Sequence, residues 1–466
     1  MKPFRHFSVL LLLLTGCSLA PKYTRPAAPV PSAWPTGPAY EPSRGTAGTD
    51  LQWQAFLTDP KLQQVVSLAL TNNRDLRVAA LNVERARAIY GIQRDALYPS
   101  LYASAGANNQ RASRDLTQPG QPRDTERYSV NLGVVEWELD FFGRIRSLKD
   151  EALETYFASE QARRAAQLSL VSAVAQAYLA LAADKQNHRL GEETLKNQQA
   201  AFDLVKRRFD LGLATELDLH RAKTLVDTAR GDCARYTQQV AQDENALQLL
   251  VGAPVPADLL PSDLEQVRPP REVTAGLPSE VLLRRPDVLG AEHQLKAANA
   301  DIGAARAAFF PRITLTAAIG RASSDLAALF RNGTETWSYA PQIVMPIFDA
   351  RTWSAHKAAK VQREIAVTQY EKTIQTAFRE VADALAERGP LRQRVAAQQS
   401  LVQSLAETCR LAQSRYEKGL DSYLSVLDAQ RSLYAAQQGL VLLRLAELAS
   451  QVRLYAVLGG GWDQAQ

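Results

Sequence analysis

The sequence predicts a mainly α-helical chain with a small β part, built as two matching halves. Three observations predict it. The chain matches itself in order over a unit of about two hundred residues. Two runs with almost no proline or glycine are long enough to be unusual helices. Between the helical runs lie short segments that alternate apolar and polar residues.

The self-match organises the rest of the chain. Asp75-Leu76 pairs with Asp287-Val288 at an offset of 212, and the same offset pairs Ala79 with Ala291, Arg94 with Arg306 and Pro99 with Pro311. Tyr128 and Asp140 pair with Trp337 and Asp349 at 209. Arg208, Phe209, Gly212, Leu213, Leu217 and Ala222 pair with Arg415, Tyr416, Gly419, Leu420, Leu424 and Ala429 at 207. Order is kept and the offset drifts slowly, which chance alanine pairing does not produce. The first repeat is read as residues 51–265 and the second as 266–466.

Each repeat has the same grammar. An alanine-rich helix, 60–96 or 278–308, ends near Pro99 or Pro311, as expected of a residue that cannot continue a helix. Period-two segments follow. Leu101, Ala103 and Ala105 alternate with Tyr102, Ser104 and Gly106, and Val130, Leu132 and Val134 alternate with Ser129, Asn131 and Gly133. In the second repeat Ile313, Leu315, Ala317 and Ile319 alternate with Arg312, Thr314 and Thr316. Polar loops at 112–125 and 323–335 separate the strand pairs. Then come the long helices. Residues 144–210 contain no proline, and at ~1.5 Å per residue an unbroken run is about 100 Å long. The partner run, 351–418, carries Gly389-Pro390, where a kink or break is expected. Leu195, Gln198, Phe202, Val205 and Phe209 form a seam of threes and fours, as do Val402, Leu405, Cys409, Ala412 and Tyr416. After a glycine turn each chain half returns as a helix, 216–250 or 422–457.

Four strands cannot close a barrel, membrane barrels need at least ~8, and open edges are not tolerated in lipid. If the strands enter a membrane, they must combine from several copies. Three copies supply twelve strands (3 × 4) and two supply eight, so arithmetic alone leaves both. A tube of long helices from two copies has little lumen.

The N-terminus reads as targeting. Lys2 and Arg5 precede the apolar run Val9–Leu14, and Leu14-Thr15-Gly16-Cys17 looks like a bacterial lipobox. Residues 1–16 are then a signal peptide. Cys17 becomes a lipidated N-terminus carrying palmitate-type acyl chains, and durable anchoring needs more than one chain. Ser18 favours the outer membrane over inner-membrane retention. Residues 17–50, rich in proline, read as an extended tether, with order beginning near Trp53. Cys233 and Cys409 read as packed thiols. After residue 16 no apolar stretch is expected to make a membrane helix. The net charge of +5, or +3 once Lys2 and Arg5 are removed, gives no warrant for nucleic acid.

At this point the chain resembles the outer-membrane efflux protein family, the TolC-like channels, and most closely its lipidated OprM/NodT-type branch. Trp53, Phe56, Asp59-Pro60, Leu62, Asn73 and Asp75-Leu76 match the start of the first family repeat. Arg285-Pro286-Asp287-Val288, Ala291-Glu292 and Phe310-Pro311 match the start of the second. Arg415 to Leu420, Tyr423-Leu424 and Leu427-Asp428-Ala429-Gln430 resemble the periplasmic tip motif. The resemblance implies a homotrimer: a 12-stranded β-barrel in the outer membrane, continuous with a periplasmic α-helical barrel. It also implies a passive duct in a tripartite efflux system. A periplasmic adaptor (a membrane fusion protein) and an inner-membrane pump of the RND type deliver drugs and other small toxic compounds to it. The partners are outer-membrane lipid and these proteins, with no cofactor.

The same resemblance locates a gate at the periplasmic helix ends. It implies gating roles for Asp218, Tyr416, Asp421 and Asp428. A trimer makes each aspartate a ring of three carboxylates, which favours cations. The plainer reading of Asp218 and Asp428 is helix N-terminal charge, and that of Tyr416 is a seam residue. Asp421 stands where TolC has a basic gating residue and Ser425 where it has a second ring aspartate, which rewires the lock through Arg415 or Arg431. Gly212 and Gly419 fit the left-handed helix-ending role. Leu213 and Leu420 either fold back as caps or are exposed to contact the adaptor.

An enzyme finds nothing to hold. His6, His188, His220, His293 and His356 are isolated from metal-ligand spacing, and there is no phosphate loop or nucleophile elbow. Two rivals stand beside small-molecule efflux. A duct for type I protein secretion shares the fold. A pore-free coiled-coil scaffold lipoprotein explains the seams but not the alternating segments.

Overall fold

The computed structural model describes residues 19–40, 46–47, 51–276 and 278–460. Cys17 and the rest of the lipobox lie outside the described residues. The chain divides into two compact units, and each gathers pieces of both repeats. One holds Asn82–Ser159, Gly290–Tyr370 and the N-terminal stretch ending at Ala27; the other holds Ala28–Leu81, Glu160–Leu289 and Glu371–Gln466.

The main elements follow the expected grammar: α1 (Pro60–Asn72), α2 (Arg74–Asp95), β1 (Leu101–Arg111), β2 (Asp124–Glu138), α3 (Arg144–Asp210) and α4 (Glu216–Val251). The second repeat gives α5 (Pro286–Ala307), β3 (Arg312–Ser323), β4 (Glu335–Val344), α6 (Ala350–Glu417) and α7 (Tyr423–Val457). Short helical turns at Trp53–Phe56 and Pro278–Leu282 precede each repeat's first long helix.

Two helices expected as single pieces are divided. Residues 60–96 break at Asn73, whose backbone is extended (ψ 131°). Its side-chain oxygen accepts from Leu76 N at 2.8 Å, capping α2, while its amide nitrogen donates to the Leu250 carbonyl at 2.8 Å. In 278–308 the helix restarts at Pro286, a residue suited to a first helical turn. The reverse holds at Pro390. No break occurs there, and α6 continues across it with Val381, Ala384, Leu391 and Val395 buried on both sides. Packing of one apolar face offsets the lost hydrogen bond.

The four-stranded sheet lies wholly in the first unit, antiparallel in the order β1-β2-β3-β4. Its register sorts residues cleanly by face. Ala103, Leu132, Ile319 and Trp337 make one row across all four strands; Ser104, Asn131, Gly320 and Thr336 make the next. Because side chains alternate, one face is apolar and the other small and polar. The apolar face is uncovered within the chain, with Trp337 80% and Ile319 65% exposed. A bulge between Val134 and Trp137 leaves Glu136 at φ 49°, and its N–H turns to Thr316 Oγ1 at 3.1 Å. On the polar face, a Cβ on Gly133 would stand 2.2 Å from the Ala317 carbonyl and one on Gly320 2.2 Å from that of Val130. Both positions therefore require glycine.

The second unit holds the main apolar core. Asp59 caps α1 through Lys61 N and Leu62 N, with Pro60 in the first turn. This delivers Leu62, Val65, Val66 and Ala69 to one buried face. They meet Val174, Tyr178, Leu181 of α3, Leu247 and Val251 of α4, and Val441, Val452 and Tyr455 of α7. Phe56 stacks on Tyr455 with centroids 4.0 Å apart. The absence of any membrane-helix stretch after residue 16 needs correction. By length and composition α3 contains an 18-residue window that qualifies, half of it buried. Leu170, Val174, Tyr178 and Leu181 of this uncharged stretch lie in the core, which explains its apolarity.

Residues 19–40 are not a free tether. They are mostly extended, with bends and a turn closed by Tyr40 N on the Gly37 carbonyl, and are bonded at several points along their length. Trp34 stacks on Phe378 at 5.0 Å and donates to the Gly276 carbonyl at 2.8 Å. Order therefore begins well before Trp53.

Candidate functional site: the two hairpin tips

Both helix pairs of the second unit turn in the same way. Gly212 has φ 72° and Gly419 has φ 73°, conformations that glycine adopts without strain. Leu213 N donates to the Arg208 carbonyl at 2.7 Å and Gly212 N to that of Phe209 at 2.8 Å. Leu420 N and Gly419 N repeat this onto Arg415 and Tyr416, each at 2.9 Å. These are two Schellman ends, which satisfy the last carbonyls of α3 and α6. Leu213 and Leu420 are 66% and 63% exposed, so neither folds back as a cap within the chain.

The turns diverge where the helices restart. Thr215 and Asp218 form a reciprocal capping box, Asp218 N donating to Thr215 Oγ1 at 3.2 Å and Thr215 N to Asp218 Oδ2 at 3.3 Å. Asp218 thus takes the structural part the plainer reading gave it. In the second hairpin Ser422 makes no side-chain cap, and Ser425 stands where Asp218 stands in the first. That turn is held instead by Asp421, which accepts from Arg415 Nη2 at 3.2 Å and Nε at 2.5 Å. This bond holds the Asp421 carboxyl below its usual range. Asp428 lies further along α7, exposed, and accepts from Arg431 Nη2 at 3.2 Å.

The repeat equivalence explains the remaining contact. Arg208 is the counterpart of Arg415, but Ala214 stands where Asp421 would be needed to hold it. Its guanidinium reaches across to the other hairpin instead. Nη1 donates to Tyr416 Oη at 2.8 Å, and the group lies 5.1 Å from the ring centroid. Tyr416 packs at 5.1 Å against Tyr423. Beneath them Val205, Ala222, Tyr423, Val426 and Leu427 form a small buried cluster of their own. The Tyr423 hydroxyl is buried without a hydrogen-bond partner; burial, with Tyr416 and Asp218 nearby, pushes it up to about 12.

The structure thus brings Tyr416, Asp421 and Asp218 to the two tips and leaves Asp428 on an exposed helix face. Arg208 and Thr215 are tip residues to which the sequence assigned no role, and Tyr423 entered only as part of the tip motif. The Thr-x-x-Asp spacing at 215–218 signals the capping box. Arg208 is visible only by asking which acid its repeat counterpart uses.

The model of the family described as outer membrane efflux protein matches the chain twice, over residues 65–253 and 277–460. The double match coincides with the internal repeat. The chain is 49% identical over 467 residues to the probable efflux pump outer membrane protein TtgC of Pseudomonas putida, covering 99% of this chain and 96% of that one. It is 43% identical over 470 residues to outer membrane protein OprJ of Pseudomonas aeruginosa, covering 100% and 98%. Among solved structures, a membrane protein from Pseudomonas aeruginosa aligns with a TM-score of 0.90 at 43% identity, covering 97% of this chain and 99% of that one. The open state of the Neisseria gonorrhoeae MtrE outer membrane channel aligns at 0.86 and 36%, covering 96% and 98%. With a repeat matched twice by one family and the same long-helix, four-strand fold in its solved relatives, this chain belongs to the outer membrane efflux protein family.

Proposed function

We propose that the protein is the outer-membrane duct of a tripartite efflux system: a passive homotrimer that passes small toxic molecules delivered by an inner-membrane pump and a periplasmic adaptor. The observation that carries this reading is the two-faced sheet. Its apolar face suits lipid and its small, polar face suits a water-filled lumen. β1 and β4 are edge strands with no partner among the described residues, and in lipid such edges must be paired. A second and a third copy supply the pairing.

The repeat supports the same assembly. α5 buries Leu295, Ala297, Ala300 and Ile302, whereas its counterpart α2 buries no side chain and leaves Ile92 exposed. α6 likewise exposes Val361 and Ile365 near its start. A neighbouring copy placed by the repeat's pseudo-symmetry covers these faces as α5 is covered within the chain. The cargo follows from the relatives, whose names cite toluene, solvent and antibiotic efflux. A pump of the RND type fits such apolar substrates.

The two tips are the proposed gate and docking site. Tyr416, Asp218, Asp421 and Asp428 hold the periplasmic end closed, and Gly212-Leu213 and Gly419-Leu420 meet the adaptor. A lipid on Cys17 fixes each copy to the outer membrane. The test is complementation of an efflux-deficient Gram-negative host together with planar-bilayer recording. Restored tolerance to toluene and antibiotics, with low-conductance channels from purified heat-modifiable trimers, is the expected result. Monomers without conductance overturn the duct.

A further inference from the structure

The first hairpin carries a pair of acids that its twin does without. Asp184 lies on α3 and Asp243 on α4, each one helical turn from a wholly buried leucine, Leu181 or Leu247. The offset of 207 that pairs the two hairpins continues here, since it also matches Val174 with Val381, Leu247 with Leu454 and Gly252 with Gly459. It puts Leu391 in the place of Asp184 and Ser450 in the place of Asp243, 3% and 5% exposed. The fold therefore fills these positions with neutral side chains in one hairpin, and packing does not require the acids of the other.

Three oxygen-bearing side chains meet at the pair. The Asp184 carboxyl is in hydrogen-bonding contact with the Asp243 carboxyl and with the Asn187 side-chain amide. Asn187 follows Asp184 by one turn on the same face of α3 and is only 8% exposed. Two oxygens of this group, Asn187 Oδ1 and Asp243 Oδ2, are buried with no hydrogen-bond partner among the described residues. Buried polar atoms are nearly always paired, and one carboxylate is a poor neighbour for another. Burial and the Asp243 carboxyl accordingly push Asp184 up to about 6.

The side chains around the pair are engaged elsewhere. Lys185 Nζ bonds Glu244 Oε1 at 2.8 Å, and His188 Nε2 is 3.0 Å from Thr237 Oγ1. Arg235 favours the ionised form of Asp184 through its charge, but its Nη2 donates to Asp232 Oδ1 at 3.1 Å. Two carboxylates and an amide carbonyl are the ligand set of a hard cation, and two negative charges suit a divalent one. Calcium accepts one or two oxygens from each carboxylate and tolerates irregular geometry, whereas magnesium demands a near-regular octahedron.

We propose that Asp184, Asp243 and Asn187 form a calcium site that clamps α3 to α4 where the first hairpin leaves the core. The aspartates supply the charge, and Asn187 supplies its unpartnered carbonyl oxygen. The second hairpin has Leu391 and Ser450 instead. Calcium thus stiffens one hairpin of each chain and leaves its twin alone.

The test uses the purified full-length protein in detergent, stripped with EDTA and titrated with calcium chloride by calorimetry at pH 7.5. One ion per chain is expected, with a Kd of roughly 10⁻⁴ M, as in extracellular calcium modules. At pH 5 the affinity should fall about tenfold, because a carboxyl titrating near 6 must give up its proton to bind. Asp184→Leu with Asp243→Ser installs the twin's pair, which the fold already accommodates. This double variant should not bind calcium, and its melting temperature should be the same in calcium and in EDTA. Wild-type protein should melt higher in calcium. Asn187→Leu should weaken binding about tenfold, since one ligand is lost. No binding heat at calcium concentrations about a hundredfold above that Kd overturns the site and leaves a carboxyl pair that shares a proton. Binding that survives the double variant overturns it too. So does a stoichiometry of one ion per three chains, which places the ion on a shared axis rather than within each hairpin.

Discussion

Arg208 and Tyr416, 208 residues apart, join the two hairpins of one chain through a 2.8 Å hydrogen bond, with the guanidinium also over the ring. The repeat counterpart of Arg208 is Arg415, and Asp421 holds that residue inside its own turn. Two equivalent arginines thus do different work because one turn has an aspartate and the other has Ala214.

The first prediction concerns this link. Ala214→Asp gives the first turn the clasp of the second and withdraws Arg208 from Tyr416. Tyr416→Phe removes the same bond from the other side, at a cost of roughly 1.5 kcal/mol for a charge-assisted hydrogen bond. Both should speed amide exchange at the ends of α3 and α6 and raise the resting conductance in bilayers. Unaltered exchange in both variants would show that the link holds nothing.

Asp218, Tyr416 and Asp428 replaced together should raise single-channel conductance well above that of any single change. Asp218→Ala alone should act mainly through the α4 capping box, lowering stability by roughly 0.5 kcal/mol. If the triple variant conducts like the wild type, the gate lies elsewhere.

Gly212 and Gly419 test the turns themselves. No atom lies within 4 Å of a Cβ at either position, so substitution brings backbone strain without collision. Alanine at either should cost about 1 kcal/mol, and asparagine less, because it tolerates the left-handed region. Thermal melting of the purified trimer reads the difference.

Leu213→Asp with Leu420→Asp should abolish efflux while trimers still assemble and conduct. Crosslinking to the adaptor should fall in parallel. Full efflux with both aspartates present would remove the tips from the docking surface.

A pH effect is expected at Asp184. Burial, together with hydrogen bonding and repulsion from Asp243, pushes its carboxyl up to about 6. The unfolded value is ~3.9. Between these values the unfolded chain releases the proton while the folded chain keeps it, so stability falls as pH rises through that window, and the deficit is complete above it. Asp184→Asn should therefore raise the melting temperature at pH 7.5 and change little at pH 4. An equal shift at both pH values would contradict the assignment.

The sequence by itself determined the elements that depend on short-range pattern. Long helical runs closed by Gly212 and Gly419 set α3 and α6 to within a residue, and strict alternation marked three of the four strands. These signals are legible because helix period, strand period and glycine turns are encoded by neighbours in the chain. The repeat was legible for the same reason, since order and offset survive in the letters. Tertiary structure decided everything that depends on a distant partner. Asn73 breaks a helix because its amide reaches Leu250, and Pro390 fails to break one because buried residues on both sides hold it. The proline-rich start is docked because Arg25 finds Glu292 at a separation of 267 residues. At the tips, local pattern gave the two glycine turns and the Thr215–Asp218 cap. That Arg208 crosses to Tyr416 while Arg415 stays at home was settled only when both hairpins stood side by side, because a guanidinium pairs with whichever acceptor the fold brings within ~3 Å.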